Sequence, residues 1–148
     1  MRRRFTSRVT AVAREESGSI LPLVLGYAML AIALIIVTTA VTSLYITQKR
    51  IDGVASAAAL AGSDGFTLTV TGGKAVATLS DDEVYVQAAA VVGASGGDVT
   101  LISARTEDGV TAIVEVSVEW HPPLVSVLLP DGFTLTSTAT SRTALDDD

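Results

Sequence analysis

The chain has no cysteine, one histidine and seven aromatic residues among its 148 positions. Without cysteine there is no disulfide framework, so any folded part is held by packing and hydrogen bonding alone. The lone histidine, His121, precedes Pro122 and Pro123. It has neither the second histidine nor the thiolates of a usual zinc site, and a turn or surface role is expected for it. No G-x-S-x-G elbow accompanies the many serines. The glycine-rich "GASGGD" (residues 93–98) is not followed by the lysine and hydroxyl of a phosphate loop and reads as a plain loop. Asp81, Asp82 and Glu83 lack the spaced oxygens of a calcium loop and read as helix-capping acids. The expectation is therefore a non-enzymatic protein with no catalytic residues, no metal and no cofactor.

Charge is missing altogether from residues 17–48, a run of 32 positions. Residues 20–46 are almost entirely Leu, Ile, Val, Ala and Thr. About 20 apolar residues in helix cross a bilayer core, so the run is long enough to span. Residues 1–50 hold seven basic and two acidic side chains, a net of +5. Residues 51–148 hold three basic and fourteen acidic ones, a net of −11. Five arginines (Arg2, Arg3, Arg4, Arg8, Arg14) precede the run and only Lys49 and Arg50 follow it closely. The positive-inside rule then places the N-terminus in the cytoplasm and the acidic portion outside. An acidic exterior excludes nucleic acid as the expected partner, because lysine and arginine supply phosphate binding. Nothing points to a small-molecule substrate.

The apolar run is nearly twice the length of a secretory h-region, and "VTTAVTSLYITQKR" is a poor cleavage exit. The helix has no reason to stop before Gly62, where "AGSDG" supplies a turn. From Ser19 to Ala61 it would be roughly 65 Å long at 1.5 Å per residue. Pro22 is expected in the first turn, where a missing N–H costs nothing. The remainder alternates. "FTLTV" and "AVATLS" flank Gly72 and Gly73, a hairpin signal. Ser80 with Glu83 is a capping box opening a helix that ends between Gly93 and Gly97. A second hairpin turns at Asp108 and Gly109. In its second strand Ile113, Glu115, Ser117 and Glu119 face water, while Val114, Val116, Val118 and Trp120 face a covering helix. "HPPLVSVLLPDG" is a loop or short helix, "FTLTSTATSRT" a final strand and "DDD" a solvated tail.

The expected fold is α+β: a long N-terminal transmembrane helix extending into a small external antiparallel-sheet domain with one additional helix. Its parts are a basic cytoplasmic leader (1–18), a membrane helix (19–47), an alanine-rich extension (48–62) and an external domain (63–148). In that extension "RIDGVASAAALAG" has seven alanines and glycines in thirteen positions. Ala55, Ala58, Ala59 and Gly62, at spacings of three and four, form a thin face that another backbone can approach closely. That face suits either partner helices or the protein's own sheet.

"GSILPLVLGYAMLAIALIIV" followed by "QKRIDGVASAAALAG" resembles the N-terminal module of the TadE/TadG-like pilus-assembly proteins of the tight-adherence (Flp pilus) system. In that family a glycine opens the apolar helix, and the helix ends in an A-D-x-A-A-L-A-G signature. Residues 55–62 match it with Ser56 in place of the aspartate. "PPLVSVLLPDGFTLTSTATSRTA" is loosely similar to the C-terminal end of such proteins. The leader boundary also resembles that of type IV prepilins, cut after glycine, which makes Gly18 and Ser19 the candidate processing site. Leu23 stands where those prepilins carry a glutamate. The resemblance implies a pilin-like minor component of a pilus or secretion machine, its partners the lipid bilayer and other membrane subunits met through helix packing. A single-pass surface adhesin or binding module is the alternative.

Overall fold

The structure, a computed structural model, describes residues 17–124, 126 and 131–143. The basic leader up to residue 16, the acidic tail and part of the proline-bounded segment lie outside the described residues. The chain divides into two compact units, Met1–Thr39 and Ala40–Asp148.

Helix α1, Ser17–Asp64, has 48 residues and passes through both units. It begins two residues before the expected start. Pro22 is therefore in its second turn and not its first, where it cannot donate to the carbonyl of Gly18. In the first unit none of residues 20–39 is buried. The helix is long and apolar enough to cross a membrane. The hydroxyl of Thr39 donates to the Ile35 carbonyl at 2.8 Å, which spares it from needing water.

The second unit is α+β. Strands β1 (Thr67–Thr71) and β2 (Lys74–Thr78) form a two-stranded hairpin of their own. Its turn needs left-handed backbone at both central positions, and Gly72 and Gly73 supply it at φ +64° and +84°. Helix α2, Asp81–Ala94, opens on the expected capping box: the Glu83 N–H donates to Ser80 Oγ at 3.4 Å and the Ser80 N–H to Glu83 Oε2 at 3.2 Å. Strands β3 (Val99–Thr106), β4 (Thr111–Trp120) and β5 (Phe133–Arg142) form a three-stranded antiparallel sheet in sequence order. Asp108 closes the β3–β4 turn by accepting from the N–H groups of Val110 (3.0 Å) and Thr111 (2.7 Å) and from Thr111 Oγ1 (2.8 Å).

One sheet face carries the core. Ala112, Val114, Val116 and Val118 alternate along β4 and pack with Ile51, Ala55, Ala58 and Ala59 of α1 and Val84, Ala88 and Val92 of α2. The opposite face departs from expectation at Ser117, which is buried. It pairs with Thr100 on one side and Thr136 on the other, and two flanking β-branched side chains cover a small one.

Candidate functional site

Three surfaces are in view among the described residues: the bare apolar stretch of α1, the alanine stripe beyond it, and a polar cleft at the sheet. In the apolar stretch, Gly18 and Ser19 lie in the first turn of α1. Proline four residues after Gly18 leaves that glycine's carbonyl without its usual helical donor, so the turn holding the Gly18–Ser19 bond is weakly tied.

The alanine stripe is occupied from within. Ala55, Ala58 and Ala59 have no exposed surface. A Cβ placed on Gly62 would meet Val84 Cγ1 at 3.0 Å, Ala112 Cβ at 3.4 Å and the Val84 carbonyl at 3.5 Å. Small residues at these positions let α1 approach α2 and β4 at once, which larger side chains would prevent. Of the two uses the stripe suits, the structure displays packing on the protein's own sheet. Gly53, one row away, has nothing within 4 Å of such a Cβ and faces open space.

Polar contacts from successive turns fasten the same helix to the sheet. Trp120 Nε1 donates to Ser43 Oγ at 3.2 Å. Asp52 Oδ1 accepts from Ser137 Oγ at 2.7 Å and from Gln48 Nε2 at 3.0 Å. The Ser137 hydrogen bond, then the Gln48 bond and the Lys49 charge, hold the Asp52 carboxyl below the ordinary 3.8. Near the helix end, Ser63 Oγ and Ser141 Oγ are 3.0 Å apart. Arg50 forks onto Asp98 with two 2.9 Å bonds and holds that carboxyl below its ordinary value. Neither Lys49, 3.7 Å from Asp52, nor Arg50 is an unpaired basic residue at the end of an apolar run, as its position alone would imply. Arg50 and Asp98 are 48 residues apart and Asp52 and Ser137 are 85 apart, so no local signal announces those two pairs.

The cleft, about 490 Å³, is lined by Asp98, Thr100, Ser117, Val118, Glu119, His121 and Thr134. His121 is exposed at its rim. Among the described residues no group of three His, Asp or Glu side chains is arranged to hold a metal ion. Among the described residues the carboxylates with depressed pKa values are Asp52, Asp98 and Asp108, each engaged in a structural contact. The rings of Trp120 and Phe133, whose centroids are 6.2 Å apart, end the sheet beside Ser43. Comparison of the chain with protein-family models, with curated proteins and with solved structures finds no match.

Proposed function

We propose that this chain is a non-enzymatic, pilin-like minor component of a tight-adherence pilus or secretion machine, anchored by a single membrane span with its N-terminus in the cytoplasm. One observation carries the reading: a helix whose residues 20–39 are unburied and uncharged runs unbroken into a second half that is the spine of a small α+β unit. Twenty residues at 1.5 Å each make about 30 Å, the thickness of a bilayer core. Exposing that much apolar surface to water is strongly unfavourable, at about 25 cal/mol per Å², so the stretch needs lipid or neighbouring helices around it. Because the alanine stripe is filled by the chain's own core, partner helices are assigned to the bare stretch, where Gly26 leaves a notch bordered by Pro22, Leu23, Tyr27 and Leu30.

The N-terminal residue of the protein extracted from membranes tests this reading. A start at Ser19 supports prepilin-type processing, and an intact start supports a plain anchor. A start near residue 44 means the helix is removed, and the anchored reading then fails. The polar cleft favours a second reading, a surface binding module. In that case the cleft variant Glu119→Gln would abolish surface attachment without altering membrane retention.

A further inference from the structure

The sheet face opposite the core brings one residue of each outer strand beside two of the central one. Ser117 and Glu119 are two positions apart on β4 and therefore share that face. Thr100 of β3 pairs with Ser117, and Thr134 of β5 pairs with Glu119. Side chains directly opposite in an antiparallel pair have Cβ atoms about 4.5–5.5 Å apart, so the four polar groups form one patch. All four line the cleft, together with Asp98, which precedes β3, and His121, which follows β4. Gly132 packs on the imidazole: at φ +61° it lies so near the ring that a Cβ there would be 2.9 Å from His121 Nε2.

Two polar side chains are buried among the described residues, Ser63 and Ser117. Ser63 Oγ donates to the Leu60 carbonyl at 2.8 Å and lies 3.0 Å from Ser141 Oγ. Ser117, only 7% exposed, has no hydrogen-bond partner for its hydroxyl among the described residues, and its side chain lines the cleft. Buried hydroxyls are normally bonded, so this one is available to a ligand. The sign of the cleft selects which. Its lining holds Asp98 and Glu119 and no lysine or arginine, which disfavours an anion. A metal ion is disfavoured because no three His, Asp or Glu side chains converge among the described residues. Both Asp98 oxygens are engaged by Arg50 at 2.9 Å, whereas Glu119 is in no ion pair among the described residues. An ammonium group has three N–H donors and no acceptor, and the Glu119 carboxylate, Ser117 Oγ and Thr134 Oγ1 supply three acceptors from one face. We propose that this cleft binds a primary alkylammonium group, carried by a lysine side chain of a partner or by a free polyamine. The proposal gives a ligand class to the cleft of the binding-module reading and rests on that reading.

His121 is the only histidine, so in protein labelled with ¹³C at histidine its ring gives the one imidazole signal and reports the cleft. The full chain in nonionic detergent is titrated at constant ionic strength with cadaverine and with Nα-acetyl-lysine methylamide. A saturable shift of the His121 signal is expected, and the Nε-acetylated lysine derivative, which has no charge, should give none. Glu119→Gln and Ser117→Ala should each weaken binding at least about threefold. Glu115→Gln, on the same face but outside the cleft lining, should weaken it by less than about 1.5-fold. The amine that binds more tightly identifies the source. Absence of a saturable shift overturns the proposal, as does equal binding of the acetylated derivative or an equal effect of Glu115→Gln, which would mean diffuse charge attraction. Surface attachment lost in Glu119→Gln without any amine binding overturns the ligand class and leaves the binding module standing. Amine binding with attachment unchanged in that variant supports the site and removes the binding module.

Discussion

Gly53 and Gly62 lie in the same helix nine residues apart, and replacing each with alanine should have opposite effects. At Gly53 the added methyl meets nothing within 4 Å, so only the backbone matters. Alanine restricts the unfolded chain and favours helix, a gain of about 0.5–1 kcal/mol. For a domain of this size that raises Tm by about 3–5 °C. At Gly62 the helix is in its last turn, where the propensity gain is smaller, and the methyl lands 3.0 Å from Val84 Cγ1 and 3.4 Å from Ala112 Cβ. Val84 and Ala112 are both fully buried, so neither gives way freely. Overpacking of this kind costs about 1–3 kcal/mol, and the net result at Gly62 should be a loss of about 1–2 kcal/mol. Thermal and urea unfolding of the full chain in detergent, followed by near-ultraviolet circular dichroism, measures both variants. Adding Val84→Ala to Gly62→Ala should recover at least about 0.5 kcal/mol relative to the sum of the single changes. If Gly62→Ala stabilises as much as Gly53→Ala, α1 does not approach α2 and β4 closely, and the account of the alanine stripe fails.

Ala58→Leu and Ala59→Leu should each destabilise the domain by about 1–3 kcal/mol in the same assay, because both sites are fully buried; unchanged unfolding with impaired assembly would return the stripe to a partner helix. Acid should weaken the fold in a defined window. The carboxyls of Asp52, Asp98 and Asp108 are all depressed from 3.8 in the folded protein, so their stabilisation is complete above that value and is lost as pH falls through the folded value, about 2 for Asp108. The urea midpoint should therefore fall between about pH 4 and pH 2, and Asp108→Asn should flatten part of that fall; an unaltered profile in the variant would remove the turn from the account. Ile51→Ala empties the largest fully buried side chain that α1 contributes and should cost about 2–5 kcal/mol, measured by the same unfolding, whereas a loss under about 0.5 kcal/mol would mean the helix is not part of the core.

Much of the domain is legible locally because its signals are local. Gly72–Gly73 and Asp108 with Gly109 mark turns that need left-handed backbone or an accepting carboxylate, and Ser80 with Glu83 marks a helix start within four residues. The alternation along β4 likewise shows which face is covered. What covers that face is not local. Ala55, Ala58, Ala59 and Gly62 read as a close-contact face, but their neighbours Val84 and Ala112 lie more than twenty residues away, and a small residue carries no mark of which surface it meets. Ser117 has the polarity of a wet position, and its burial depends on strand neighbours at residues 100 and 136. The Asp52–Ser137 and Ser43–Trp120 bonds join residues 85 and 77 apart, beyond any periodicity. Along α1 the uncharged run reveals its length but not where the second unit begins, because residues 40–47 are nearly as apolar as those before them. The polarity of the leader arginines bears on orientation and not on packing.

The central claim is that α1 crosses a membrane and carries its small domain to the far side. A chain with no cysteine allows that to be measured at one atom. Ser56 is exposed on α1, outside the core, so Ser56→Cys leaves the fold intact. Intact cells producing this variant are treated with a membrane-impermeant maleimide, and the protein is then recovered from membranes after alkaline extraction. The account predicts labelling before lysis and retention in the membrane; labelling only after lysis, or release into the soluble fraction, would contradict it.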